Sequence, residues 1–162
     1  MTAATPPPEP VLVIGVGNAY RGDDAAGLAV ARRLRALAPA GIDIVEHAGD
    51  PASLMDAWCG YGRVYLVDAV VAGGAPGSVY RIDAATGSLA AQFGRRGIHG
   101  AGVAEAVQLA QVLGLLPPHL TVYGIEGGSF DLGSGLSPAV RSAVTDVCAR
   151  LSQEISQAVG VG

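Results

Sequence analysis

The stretch VLVIGVGNAYRGDDAAG, Val11 to Gly27, sets two adjacent carboxylates, Asp23 and Asp24, just past a glycine turn that ends an apolar run. Such turns commonly deliver a phosphate to the N-terminus of the next helix, where free N–H groups and the helix dipole favour an anion. Carboxylates at that place oppose an anion and suit a cation. Two more residues carry compatible chemistry. Asp68 ends the apolar run VYLVD, and His99 stands between Gly97 and Gly100 in GIHG. Two carboxylates and an imidazole on one rim would make a metal site of the Zn or Ni kind. Each has a plainer reading. Gly15, Gly17 and Gly22 can serve a tight turn with one Asp as helix cap, Asp68 can be a turn residue, and His99 can open a helix. A helix needs only one cap, so the plain reading leaves the second carboxylate of the turn unexplained.

Other chemistries are poorly served. A dinucleotide loop of the form G-x-G-x-x-G would need glycine where Tyr20 stands, and Asp23 and Asp24 would repel its pyrophosphate. All ten basic residues are arginine, which removes Schiff-base chemistry and the lysine-dependent phosphate loop. The nearest approach to G-x-S-x-G is GGSFD, Gly127 to Asp131, which lacks the last glycine, and no H-E-x-x-H occurs. His47 reads as a strand-end residue and His119 as a loop residue after Pro117-Pro118. A net charge of −4 with no basic cluster argues against a nucleic-acid surface.

The elements that must position these residues follow from the hydrophobic pattern. Val11 to Val16 is an unbroken apolar run, as in a strand buried on both faces. A helix is predicted from Asp23, with Leu28, Ala31, Leu34 and Leu37 inward and Arg32, Arg33 and Arg35 among the solvated positions, stopped by Pro39 and Gly41. IDIVEH (Ile42 to His47) reads as a second strand. Asp50 as N-cap and Pro51 at the first helical position open a short helix. RVYLVDAVV (Arg63 to Val71) is a third strand, and GSVYRID (Gly77 to Asp83) alternates like an edge strand. HGAGVAEAVQLAQVLG reads as a helix with Val103, Val107, Ala110 and Leu113 inward, and LTVYGIEGG as a strand running into a loop. Ser137 then caps a long helix with Pro138 first and Val140, Val144, Val147, Leu151 and Ile155 as its stripe.

Alternating strands and helices predict a three-layer α/β fold: a five-stranded, mainly parallel, twisted sheet with helices on both faces. In such a sheet ligands bind at the carboxyl ends of the strands. That rim receives the first-loop aspartates, Glu46 and His47, Asp68, His99 and Glu126. The expected organisation is a flexible tail over residues 1–10 and one domain over residues 11–162. The tail MTAATPPPEP lacks the basic and apolar regions of a signal peptide, and no apolar run approaches the roughly 18 residues of a membrane span. A cytoplasmic protein without membrane contact is therefore expected, with Cys59 and Cys148 reduced and buried.

Five segments in order, GVGNAYRGDDAAG, VYLVDAV, GIHGAG, YGIEGGSF and LSPAV, resemble the nickel–iron hydrogenase maturation endopeptidases, from Val11 to about Val159. The resemblance implies removal of a C-terminal extension from the hydrogenase large-subunit precursor after nickel insertion; a monomer is expected. It also implies a metal-contacting and catalytic triad falling on Asp24, Asp68 and His99, with Asp23 as the adjacent alternative for the first position. The metal would be nickel brought by the precursor, and Zn or Cd would occupy the same place in vitro. On this reading the carboxylates of the turn address a cation. The metal either activates water and polarises the scissile carbonyl or docks the precursor beside a carboxylate acting as general base. The competing class is a non-catalytic metal- or nucleotide-binding module on a similar sheet.

Overall fold

The computed structural model describes residues 3–4, 9–37, 40–86, 89 and 102–159. His99 and its neighbouring glycines fall outside these residues. The described elements are β1 (Val11–Val16), a 3-10 turn (Gly22–Ala25), α1 (Ala26–Leu37), β2 (Ile42–His47), α2 (Pro51–Trp58), β3 (Arg63–Val70), β4 (Val79–Asp83), α3 (Gly102–Leu113), β5 (His119–Glu126) and α4 (Pro138–Ala158).

The sheet order is β2-β1-β3-β5-β4. Strands β2, β1, β3 and β5 are parallel, and β4 pairs antiparallel with β5, setting Val79 against Ile125 and Ile82 against Val122. The mainly parallel three-layer fold is therefore as predicted, with its one antiparallel strand at the edge.

The apolar strands are continuous because both of their faces are covered, and alternate residues feed two separate cores. Val11 and Val13 of β1, Val67 of β3 and Ile125 of β5 pack under α1 and α4 with Leu34, Val144, Val147 and Leu151. Leu12, Ile14, Leu66 and Val122 pack under α2 and α3 with Leu54, Trp58, Val103 and Val107. Asp68 shares the parity of Leu66 and Val70, so it belongs to the α2/α3 side of β3 at its carboxyl end.

Two glycines let α1 come down onto this edge. A Cβ at Gly27 would lie 2.2 Å from the Val67 carbonyl oxygen and 2.4 Å from that of Val16. One at Gly17 would lie 2.0 Å from the Asp24 carbonyl oxygen. No side chain fits either place.

Four expectations need correction. The chain after Gly22 opens as a 3-10 turn, and α1 proper starts only at Ala26, because Asp23 is pulled toward the segment after β5. Leu37 and Leu113 are exposed: each ends its helix in a turn that has run past the sheet. Cys59 is exposed in the turn after α2, whereas Cys148 is buried as expected; both are free thiols. His119 is the first residue of β5 rather than a loop residue.

Candidate active site

The turn between β1 and α1 is fastened at every step. The Gly17 N–H donates to the His47 carbonyl (3.1 Å), the Asn18 N–H to the Asp24 carbonyl (3.3 Å), and the Asp24 N–H to the Arg21 carbonyl (3.1 Å). The Tyr20 N–H donates to the Asn18 side-chain oxygen at 2.9 Å, closing an Asx turn. From outside, the Gly133 N–H donates to the Tyr20 carbonyl (2.9 Å) and the Asp23 N–H to the Ser129 carbonyl (2.8 Å).

Within this frame the adjacent aspartates take opposite directions. Asp23 is fully buried, and its carboxylate accepts from the Gly128 N–H (2.8 Å), the Ser129 N–H (3.0 Å), the Ser137 N–H (2.7 Å) and the Ser137 hydroxyl (2.9 Å). Burial pushes its pKa up, but these bonds, led by that of the Ser137 N–H, outweigh burial and hold it below the ordinary aspartate value. Ser137 does occupy the N-cap position of α4, yet its side chain makes no cap bond, because its hydroxyl is turned to Asp23. Asp23 is thus a clamp joining the first turn, the loop after β5 and the start of α4. It caps no helix and its oxygens are spent.

Asp24 instead lines a cavity at the carboxyl edge of the sheet, and Asp68 lines the same cavity. The space is about 210 Å³, walled by the Val16–Arg21 turn, Ala48 and Gly49 after β2, and Gly102 and Val103 at the start of α3. Asp68 is buried, and its Oδ1 accepts from the Ala69 N–H at 2.9 Å. Burial, then the neighbouring charge of Asp24, raise its pKa well above the ordinary value, and the Ala69 bond offsets only part of this. A cation in the cavity would relieve both causes at once. The donor set, two hard carboxylates with room between loops, therefore suits a divalent metal.

The other rim candidates have structural employment. Glu46 bonds Arg32 (2.8 Å) and Arg35 (2.9 Å) of α1. His47 accepts the Gly49 N–H at Nδ1 (2.8 Å), which places its proton on Nε2. Glu126 accepts the N–H groups of Ala72 and Gly73, both at 2.9 Å, and so ties down the segment between β3 and β4. Among the described residues no three His, Cys, Asp or Glu side chains converge on one point. Asp24 and Asp68 are brought to one cavity; His99 lies outside the described residues, although Gly102, three positions on, lines that cavity. Sequence reasoning overlooked Asn18 and Arg21 as cavity residues, and their place inside the glycine turn was the available signal.

The family model for HycI, hydrogenase maturation protease, matches residues 28–154, well over half of the chain. The chain belongs to the hydrogenase maturation protease family. That match includes Asp68 and begins just after Asp24. Among solved structures, the NiFe hydrogenase maturation protease HybD from Thermococcus kodakarensis is 26% identical with a TM-score of 0.72, covering 88% of this chain and 97% of its own. The hydrogenase maturating endopeptidase HybD from E. coli is 23% identical with a TM-score of 0.69, covering 91% and 92%. An endopeptidase from Escherichia coli, solved in solution, is 22% identical with a TM-score of 0.79, also covering 91% and 92%. The last two show a common fold. No curated protein sequence matches the chain. Membership of a protease family speaks against a non-catalytic binding module. As in the sequence reading, no helix among the described residues is long and apolar enough to cross a membrane.

Proposed function

We propose that this protease removes the C-terminal extension of a nickel–iron hydrogenase large-subunit precursor once nickel has been inserted, with Asp24, Asp68 and His99 meeting the precursor's nickel. The observation that carries this reading is the cavity shared by Asp24 and Asp68 at the carboxyl edge of the sheet, with Asp23 turned away into a clamp. Nickel carried by the precursor would supply positive charge to a site whose buried carboxylate is otherwise costly. The chain's own residues do the rest. The fastened turn holds Asp24, and β3 holds Asp68, so a precursor seated here has its scissile bond beside two carboxylates. One of them can accept the proton of the attacking water. Holding reactants in place in this way supplies much of the rate.

Specificity then follows from nickel loading and the precursor surface, with little reading of the extension's side chains. Incubating the protein with nickel-loaded and nickel-free precursor and measuring the mass of the product tests this. The loaded precursor is expected to lose its extension and the nickel-free one to stay intact. Efficient cleavage of metal-free precursor with chelator present throughout would exclude nickel gating. Asp24→Ala, Asp68→Ala and His99→Ala are each expected to abolish processing, and normal rates in two of the three would show the site to be elsewhere.

A further inference from the structure

We propose that Asn18 and Arg21 form a hydrogen-bond donor subsite that holds the carbonyl oxygen of the scissile peptide bond; this rests on the reading of the cavity as a peptide-hydrolysing site. Both residues line the cavity with Asp24 and Asp68. The carboxylates, when ionised, can take a proton from water but repel the negative charge that hydrolysis creates. As water adds to the carbonyl carbon it gives up a proton, and the C–O π pair moves onto the carbonyl oxygen. The pair returns when the C–N bond breaks and the amine leaves with a proton. A donor directed at that oxygen is the group this wall of the cavity still has to provide.

The backbone donors of the first turn, and that of Gly49, are already committed. The Gly17 N–H is bonded to the His47 carbonyl, the Gly49 N–H to the His47 ring, and the Asp24 N–H to the Arg21 carbonyl. Side chains remain. The Asn18 Oδ1 is fixed by the Tyr20 N–H, so the free end of this amide is its NH2, which donates to no group among the described residues. Arg21 carries five N–H donors, no acceptor and a permanent charge. Arg32 and Arg35 pair with Glu46, and Arg81 with Glu154. The Arg21 guanidinium makes no ion pair or hydrogen bond among the described residues, although two aspartates line the same cavity. Arginine cannot ligate a metal, so beside a cation site its use is toward an oxygen. The six-bond fastening of the turn, described above, presents both donors on a rigid support, as transition-state stabilisation requires.

The experiment compares full-length wild type, Arg21→Ala, Arg21→Lys, Asn18→Ala and Asn18→Asp on nickel-loaded precursor, with kcat and KM measured separately and folding checked by thermal melts. Removing one such donor typically lowers kcat by about 100-fold or more. That loss is expected for Arg21→Ala and for both Asn18 variants, with KM changed only a few-fold and partial recovery in Arg21→Lys. Asn18→Asp keeps the acceptor that the Tyr20 N–H needs and removes the NH2. Wild-type kcat in Asn18→Asp would reduce Asn18 to a turn residue, and wild-type kcat in Arg21→Ala would remove Arg21 from the reaction; either overturns the subsite. Zinc alone, titrated calorimetrically, should bind Arg21→Ala at least as tightly as wild type. Weaker binding would make Arg21 a support for the carboxylates and overturn the proposal as well. If wild type leaves the precursor intact, the proposed function fails and the subsite with it. If wild type cleaves and all four variants match it, the subsite alone fails.

Discussion

Asp68 sits where a carboxylate is costly to the fold. Its pKa is raised by burial and by Asp24, so its favourable contribution to stability is complete below the unfolded value of 3.8 and is lost as pH rises through the folded value. At neutral pH the protein must either retain that proton or bury the charge, and both weigh against folding. Asp68→Asn keeps the size and removes the charge. It is expected to raise the melting temperature at neutral pH, by about 2–4 °C for each kcal/mol relieved, while precursor processing stops. A melt and a mass measurement on the same sample check both halves, and an unchanged or lowered melting temperature would show that this carboxylate burdens nothing. Active sites are where such costs are retained. That this turn is unsuited to a phosphate was legible in the sequence, since paired carboxylates after a glycine loop repel one. Which aspartate faces the cavity was not. Adjacent residues have equal local access, and the choice is made by Gly128, Ser129 and Ser137, more than 100 positions along the chain.

At the scale of elements, periodicity gave the helices and strands their type and left their ends open. Leu28, Ala31 and Leu34 face the core as the spacing requires. Leu37 keeps the spacing but lies where no sheet remains to cover it, and periodicity carries no information about where a partner stops. The glycines show the same limit: their spacing marks a turn, but only the packed structure reveals that Gly27 lies against Val67 and Val16. Gly27→Ala is expected to be strongly destabilising, by about 1–3 kcal/mol or more for an overpacked site, because the obstructing atoms are backbone carbonyls that cannot swing aside. Urea denaturation measures it, and a wild-type midpoint would mean that α1 shifts without cost.

A second element-level tie joins the edge strand to the last helix. Glu154 of α4 accepts from Arg81 Nε of β4 (3.1 Å) and from the Tyr123 hydroxyl of β5. Burial would raise the Glu154 pKa, but Arg81 and Tyr123 outweigh it and the value falls below 4.5. A depressed carboxylate stabilises above its unfolded pKa, and that contribution disappears as pH falls through the folded one. Glu154→Gln should therefore be less stable than wild type at neutral pH, with the difference lost in acid as pH falls from 4.5 through the folded value. Urea midpoints at neutral and acid pH check this, and a difference that persists in acid would locate the role of Glu154 in packing rather than charge.

At the scale of the whole molecule, a second hollow lies away from the cavity of Asp24 and Asp68. A cavity of about 470 Å³ is lined by Met55, Trp58, Cys59, Tyr61 and the Leu115–Pro118 segment, far from the carboxylates in the fold because it adjoins the amino ends of β3 and β5. The paired carboxylates that the proposed chemistry needs lie at the opposite edge of the sheet. The two faces of the sheet also carry separate cores, which raises the question of whether they fold as one. We propose that residues 11–162 form a single cooperative unit, since every central strand contributes alternate side chains to both cores. Each core happens to contain its own reporter. Trp58, the single tryptophan, is buried under α2 with its Nε1 donating to the Leu115 carbonyl at 3.2 Å. Cys148 is buried under α4, and burial pushes its thiol up to about 11, so it is unreactive while that layer is closed. In a Cys59→Ser background, Trp58 fluorescence and pulse labelling of Cys148 should give the same urea midpoint, as two-state unfolding demands. Loss of either layer would strip one face of β1 and β3, exposing apolar area worth roughly 25 cal/mol per Å², so neither layer can leave while the other stays native. Midpoints that separate, with Cys148 labelled before Trp58 is exposed, would show that α1 and α4 open on their own and that the α2/α3 core survives without them.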